Sequence, residues 1–290
     1  MSDSLQRFVF EHAAVRGELV QLDATWQAIL TRHDYPQPVR DLLGQMMAAA
    51  ALLSATLKFD GTMTMQVQGG GPVTLMVVEA TSQRTLRGLA HWEGDLEAGP
   101  LVSLFGNARL VITVDPGAGG ERYQGIVELS GATLSEALDA YLSRSEQLDT
   151  RLWLAADAGH AGGLLIQRLP GASADEDKDM WNRLTLLSAT VRADELLRLS
   201  ATDIIHRLYH EEDVRVFEAE PVYFRCSCSR ERVANMLRNL GPDEVHDIVA
   251  EQGSVDVTCE FCNQKYAFDA VDAEQLFIGE VPPHTPPTRH

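Results

Sequence analysis

Apolar and polar residues alternate in short stretches through the first 170 positions of the chain. Strands are predicted where this period of two occurs, around Phe8 and Phe10, at Val15–Leu22, and at 63–67, 74–80, 108–115, 122–129, 150–156 and 162–169. Apolar spacings of three and four residues predict helices at 24–33, at 39–57 and from Thr133 to about 147. Because short turns join consecutive strands, we expect residues 1–171 to form an α+β domain, with helices packed on one mainly antiparallel sheet.

Residues 172–220 have a different pattern, which predicts a helical linker. An acidic run at 175–179 precedes an amphipathic segment, 180–210, in which apolar residues recur at helical spacing. The segment is too short to own a core, so we expect it to lie on the N-terminal sheet. The stripe residues that we single out are Leu184, Leu187, Val191, Leu197, Ile204 and Leu208.

The pattern predicts a third, small unit at 221–278. Helices are expected at 229–240 and 243–250, and strands at 255–257 and 266–268. The remaining residues, 279–290, include four prolines and are expected to be disordered.

Charge and composition narrow the class of protein. Asp and Glu outnumber Lys and Arg by 42 to 24, which gives a formal charge of −18 over 290 residues. A surface this acidic disfavours nucleic acid and anionic membranes as partners. No apolar run is long enough to span a bilayer, and the first nine residues lack the apolar core of a signal peptide, so a cytosolic location is expected.

All the cysteines of the chain fall in two close pairs within the small unit. Cys226 and Cys228 are separated by one residue, and Cys259 and Cys262 by two. Four thiolates in paired spacing favour one tetrahedral zinc ion per chain in the reduced protein. The alternative is a zinc ion with a purely structural role. Because a unit of this size has little core, a zinc crosslink would contribute much of its stability, roughly 10–16 kcal/mol in small zinc domains.

The spacing of the cysteines also indicates a redox switch. Oxidation removes the thiolates that a metal needs, and proximity along the chain favours the disulfides Cys226–Cys228 and Cys259–Cys262. Ring strain opposes the first of these, so the second should form more readily. Two local disulfides would constrain little chain, so we expect the small unit to unfold on oxidation.

The residues around the cysteines form an extended motif, namely Phe224-Arg225-Cys226-Ser227-Cys228-Ser229-Arg230-Glu231-Arg232, Leu240-Gly241, Val257-Thr258-Cys259-Glu260-Phe261-Cys262, Tyr266 and Phe268. This motif resembles that of a known family, the redox-regulated heat-shock chaperones called thirty-three-kilodalton chaperonins. The supporting strings upstream are Gly70-Gly71-Pro72-Val73, Val77-Val78-Glu79-Ala80, Leu86-Arg87-Gly88 and Gly162-Gly163-Leu164-Leu165-Ile166-Gln167.

The resemblance implies a holdase without ATPase activity that protects unfolding client proteins from aggregation. It implies that the protein is inactive when reduced and zinc-bound, and active and often dimeric when oxidised. It also implies that the linker takes part in binding clients or in masking the client site. The stripe from Leu184 to Leu208 is therefore the candidate client surface.

The sequence also contains two motifs that resemble other kinds of site, and it is compatible with one other class of function. His206 and His210 have the spacing of a zinc protease motif, but Arg207 occupies the position of the required Glu, and no catalytic residue is assigned. Gly69–Gly71 lies between alternating strands and predicts a hairpin turn, not a phosphate loop. The alternative function is a structural-zinc protein whose N-terminal domain is an enzyme or a partner-binding module.

Overall fold

The computed structural model of the protein describes residues 3–117, 120–129, 131–145, 148–170 and 179–278. The chain divides into two units, Met1–Arg225 and Cys226–His290. The predicted tail at 279–290, and all of the predicted acidic run except its last residue, lie outside the described residues.

The strands of the first unit form two sheets. They are β1 (Ser4–Phe10), β2 (Val15–Leu22), β3 (Thr62–Gln68), β4 (Val73–Thr81), β5 (Thr85–Trp92), β6 (Arg109–Asp115), β7 (Tyr123–Glu128), β8 (Thr150–Ala156), β9 (Ala161–Arg168), β10 (Val214–Val216), β11 (Glu220–Pro221) and β12 (Tyr223–Phe224). The first sheet has the order β10-β1-β2-β9-β8, with β11 also paired to β1, and the second has the order β12-β5-β4-β3-β6-β7.

The predicted α+β fold with antiparallel sheets is confirmed, but the strands form two sheets where one was expected. In the described residues the pairings of this unit are antiparallel except that of β12 with β5. The division arises because β2 pairs with β9, far along the chain, and not with β3. Alternation predicts where strands lie but does not determine which distant strands pair.

One long helix forms the centre of the first unit. The helices of this unit are α1 (Ala24–Leu30), α2 (Gln37–Thr56), α3 (Leu101–Phe105), α4 (Leu134–Ser145), α5 (Met180–Ser188), α6 (Ala193–Arg198) and α7 (Ala201–Tyr209). α2 packs between the two sheets, against Val20 and Leu165 of the first and Met65 and Val78 of the second. The small side chains at 48–51 are buried at the middle of α2, which allows both sheets to approach it closely.

The linker segment predicted to be helical forms α5, α6 and α7 on the opposite face of the first sheet. There it shares a second core with aromatic and aliphatic side chains of β1, β2 and β9, including Phe8, Phe10, Leu19, Leu164 and Ile166. Of the stripe residues, four are buried, namely Leu184, Leu197, Ile204 and Leu208. Leu187 and Val191 are partly buried against the same core.

The second unit contains α8 (Arg230–Leu240), α9 (Pro242–Gln252), β13 (Ser254–Thr258), β14 (Lys265–Asp269) and α10 (Ala270–Phe277). The predicted helices and strands of this region are confirmed, and α10 was not predicted. Its core consists of Ala234, Leu237, Val245, Val255, Phe268, Ala273 and Leu276. Residues 220–224, at the predicted start of the small unit, pair with β1 and β5 of the first unit. The division into 1–171, 172–220 and 221–278 stays a prediction.

Candidate metal centre

Two separate local structures present the cysteines of the second unit. Cys226 and Cys228 lie immediately before α8. The N-cap of this helix is Ser229, whose hydroxyl accepts a hydrogen bond from the Arg232 N–H at 3.2 Å. Cys259 and Cys262 lie in the turn that joins β13 to β14. The pairing of β13 with β14 and the packing of α8 on their shared core therefore determine how close the two pairs come.

The four sulfur atoms converge on one point. All four Sγ atoms lie within 4.8 Å of one another. The Sγ atoms of Cys226 and Cys259 are 3.7 Å apart, and those of Cys228 and Cys262 are 3.3 Å apart. A regular tetrahedron with Zn–S distances near 2.3 Å has sulfurs about 3.8 Å apart. Both the type and the spacing of these donors therefore fit a zinc ion.

The turn at 259–264 positions its sulfurs through backbone hydrogen bonds. The Asn263 N–H donates to the Cys259 carbonyl at 2.7 Å, and the Cys259 N–H donates to the Gln264 carbonyl at 2.9 Å. Asn263 adopts the left-handed conformation (φ 58°), which asparagine tolerates better than most residues. The N–H groups of Phe261 and Cys262 point at the sulfur of Cys259, and the Gln264 N–H points at that of Cys262. Such donors favour the thiolate form that binds metal.

Without a cation, the crowded thiols resist ionisation. Burial raises the pKa of Cys259, and the N–H groups that point at its sulfur only partly oppose this rise. Burial raises the pKa of Cys262 to about 12, and its three neighbouring thiols contribute to the increase. Four adjacent thiolates are therefore stable only when a bound cation compensates their charge.

Three further side chains lie around the sulfurs, and the sequence indicates only that two of them, Arg230 and Arg232, carry a charge opposite to that of thiolates. The Tyr266 hydroxyl donates to the Cys228 Sγ at 3.2 Å, and this contact raises the pKa of the phenol to about 12. Arg232 donates to the hydroxyl of Ser227 at 2.7 Å, between the first two cysteines. Arg230 stacks on Phe268 at 4.1 Å, which ties the start of α8 to β14. Apart from that charge, the one signal in the sequence was the position of these residues beside the cysteines.

The two other motifs lie in the first unit. Gly71 is in the turn between β3 and β4, where its N–H donates to the Phe105 carbonyl at 3.0 Å and an added Cβ would lie 2.6 Å from backbone atoms of 104 and 106. The predicted hairpin turn is therefore confirmed. His206 and His210 are exposed on α7. In the described residues, the four cysteines are the one group of three or more metal-ligating side chains that converge.

The chain is similar to known proteins along nearly its whole length. The family described as Hsp33 protein matches residues 3–269. The chain is 51% identical to a 33 kDa chaperonin of Methylobacillus flagellatus, over 97% of this chain and 96% of that protein. It is 52% identical to a 33 kDa chaperonin of Nitrosococcus oceani, over 99% of each. The crystal structure of a 33 kDa chaperonin from Thermotoga maritima shares the fold, with a TM-score of 0.81 at 23% identity over 95% of this chain and 98% of that one. In the described residues no helix is long and apolar enough to cross a membrane.

Proposed function

The chain belongs to the Hsp33 family, and on this premise we propose that it is a redox-regulated, ATP-independent holdase of the cytosol. In this proposal it binds proteins that unfold under heat or oxidation and keeps them from aggregating. The observation that carries the proposal is the cluster of four thiols within 4.8 Å, in a unit with a small core. A switch of this kind needs a cluster that oxidants can alter and a fold that depends on it.

The reduced protein is the inactive state. Cys226, Cys228, Cys259 and Cys262 hold one zinc ion, with no histidine ligand. When bound, zinc supplies a crosslink between the segment before α8 and the turn between β13 and β14. Metal analysis with X-ray absorption tests this state, and a nitrogen ligand or a stoichiometry near zero would contradict it.

Oxidation is the activating step. In each disulfide two thiols lose two electrons and two protons, and one peroxide molecule is reduced to two molecules of water. We expect the pairs Cys226–Cys228 and Cys259–Cys262, because the released chain closes the shortest loops first. In the folded unit the sulfurs of Cys226 and Cys259, and those of Cys228 and Cys262, also lie close enough for bridges between the pairs, at 3.7 and 3.3 Å. Peptide mapping distinguishes the two outcomes, and bridges between the pairs would overturn the predicted order of metal loss, unfolding and closure.

The second unit follows the linker along the chain, and its unfolding then loosens the linker helices from the first sheet. The helices α5–α7 bury Leu184, Ile204 and Leu208 on the first sheet. Detachment of these helices exposes their own stripe and the sheet face under it. A contiguous apolar patch of this kind binds the matching surface of unfolding proteins. The charge of −18 on the whole chain keeps the resulting complexes in solution.

An aggregation assay paired with zinc release tests the function. A heat-unfolded client should stay in solution with protein treated with peroxide and mild heat, and should aggregate with reduced protein. Zinc release should precede the gain of activity, and sedimentation should show whether the oxidised form is a homodimer. Equal protection by the reduced and oxidised forms would favour the alternative, a structural-zinc protein whose first unit binds partners or acts as an enzyme.

A further inference from the structure

The solvent-facing side of α7 carries two histidines one helical turn apart. His206 lies in the last turn, and His210 is the C-cap residue with helical dihedral angles (φ −63°, ψ −16°). Both side chains are exposed, and their ring centroids are 5.9 Å apart with the ring planes at 31°. The imidazoles therefore share one face of the helix.

We propose that His206 and His210 together bind one divalent transition-metal ion, at a site separate from the four cysteines. Neutral imidazole is a good ligand for Zn²⁺, Ni²⁺ and Cu²⁺. A metal held at about 2.1 Å by one nitrogen of each ring places the ring centroids about 5 Å apart. The observed 5.9 Å is close to this value, so small side-chain rotations bring both nitrogens to the metal.

The surroundings of the pair favour a cation. The last carbonyls of a helix carry the negative end of its dipole, and His206 and His210 lie at this end of α7. The neighbouring cation Arg207 is paired with Glu195, at 2.8 Å from Nε to the carboxylate. Asp203 and Glu211 lie close by in sequence and are exposed. The metal would therefore meet no unpaired positive charge on the adjacent residue.

Metal binding at this site stabilises the helical conformation of α7. Two ligands four residues apart converge only when the backbone between them is helical, so binding stabilises the helix relative to its unfolded form. The opposite face of α7 packs on β1, where the Tyr209 ring lies 5.8 Å from Phe8 and 5.0 Å from Phe10. A bound metal therefore slows the opening of α7 from the sheet. That this delays activation rests on the proposed holdase function, whereas the metal binding itself does not.

Nickel titration of the full-length, untagged, reduced protein, with its cysteines loaded with zinc, tests the site. Ni²⁺ binds imidazole and does not oxidise thiols, and loading the cysteines with zinc occupies the thiolates that would otherwise bind it. We expect one Ni²⁺ per chain by calorimetry, and an affinity loss of about 10²-fold in His206→Ala or His210→Ala, because the second ligand binds within the same molecule. Hydrogen exchange of the α7 amides should slow at saturating Ni²⁺ in the unaltered protein and stay unchanged in the variants.

Two variants serve as matched controls. His210→Ala combined with Glu211→His keeps the number of histidines but moves one off the shared face, and should lose affinity as the single variants do. His284→Ala with His290→Ala removes the tail histidines and should change nothing. Nickel affinity that follows the tail variant, or that survives in the shifted variant, would overturn the site. Binding without slower exchange in α7 would overturn its effect on the helix. None of these readouts depends on chaperone activity.

Discussion

The two units of the chain differ in how much apolar surface they bury. In the first unit α2 is enclosed by two sheets, and Met46, Met47 and the alanines at 48–51 are at most 4% exposed. Among the described residues of the second unit, seven buried side chains form the core, and Ala234 and Ala273 are two of them. A unit with so small a core gains too little from burial to be firmly stable. A crosslink through the four cysteines would therefore add more to the stability of the second unit than any crosslink would add to that of the first.

The linker helices belong to the first unit, but like the second unit they have too little core of their own to be stable by burial alone. α5, α6 and α7 bury their stripe on the first sheet and have no core of their own. A few polar contacts add to this packing, such as Arg183 with Glu212 and Gln21 with the Leu199 carbonyl. The linker is therefore the part of the first unit that is most easily released without loss of the central core.

The loss of one metal ligand should have the largest effect, confined to the second unit. Cys228→Ser abolishes the four-thiolate site and with it a crosslink worth roughly 10–16 kcal/mol in small zinc domains. In reducing buffer, hydrogen exchange in α8–α10 should rise towards that of an unfolded chain, while α2 stays protected. Ser227→Ala, between two ligands, should retain zinc and protection. Persistent protection of α8–α10 in Cys228→Ser would show that the small core suffices.

A charge placed under the linker should have the next largest effect, confined to α5–α7. Leu197 is 7% exposed and Leu187 is partly buried, so Leu187→Asp with Leu197→Asp should weaken docking by roughly 2–5 kcal/mol. We expect faster hydrogen exchange in α5–α7 and partial suppression of aggregation without oxidant, with unchanged zinc content.

Leu186→Asp is the matched control for this variant, because Leu186 lies on the same helix and is 70% exposed. It should leave both exchange and activity as they are. A double variant that keeps the linker protected and stays inactive until oxidised would show that the switch acts through another surface.

The pH dependence of stability should have opposite signs in the two units. Burial raises the pKa of Glu18, on β2, to about 7, although Arg16, Arg84 and Arg7 oppose the rise; Glu220 adds to it. The folded first unit therefore binds this proton more tightly than the unfolded chain does. The stabilisation that comes from protonated Glu18 is fully present below pH 4.5, the ordinary pKa of this carboxyl. It is lost as the pH rises through about 7. In the second unit, protons compete with metal for thiolates, so stability falls as pH falls.

Glu18→Gln should weaken this trend but not abolish it, because burial also raises the pKa of Asp139 in the same unit to about 7. We expect the decline in the free energy of unfolding between about pH 4.5 and 7.5 to become shallower by at most about 3 kcal/mol in the variant. Urea unfolding followed by tryptophan fluorescence reports on this unit, because all four tryptophans, at 26, 92, 153 and 181, precede Cys226. Glu128→Gln, which alters an exposed carboxylate of β7, is the control. A slope as steep in Glu18→Gln as in the control would rule out Glu18 as its source.

Features that depend on local spacing could be predicted from the sequence, and features that depend on long-range packing could not. The candidate metal ligands follow from residue type and local spacing, so the sequence alone points to the four cysteines that converge in the structure. Strand β5 was not predicted, because Gly88 interrupts its apolar pattern. A Cβ added at Gly88 would lie 2.9 Å from the Sδ of Met47 on α2. The glycine is therefore explained by close packing of α2 on the second sheet, which no local pattern reveals. The division into two sheets likewise depends on the pairing of β2 with β9.

The contact of Tyr266 with Cys228 escaped prediction for a related reason. The distance of 3.2 Å between the hydroxyl and the sulfur is fixed by the pairing of β13 with β14 and by the position of α8. Sequence spacing alone gives neither the orientation of the phenol nor the sulfur it meets. Residues that orient ligands through tertiary packing are therefore harder to predict than the ligands themselves.

Of the four predicted variants, Tyr266→Phe should have the smallest effect. It separates stabilisation of the second unit by its apolar core from stabilisation by a metal at the four cysteines. The ring and its packing remain, so the core should be intact, and only the hydrogen bond to the Cys228 sulfur is lost. Without the donor, Cys228 carries more negative charge as a thiolate and is more nucleophilic. We expect zinc affinity to fall by roughly tenfold and peroxide to release zinc faster. Competition with a colorimetric chelator measures both. Tyr223→Phe, which alters a half-exposed tyrosine of the first unit, should change neither quantity. If Tyr266→Phe also leaves both unchanged, the hydroxyl only fills space beside the sulfur, and the sensitivity of the second unit to oxidants resides in the four thiols and their backbone donors alone.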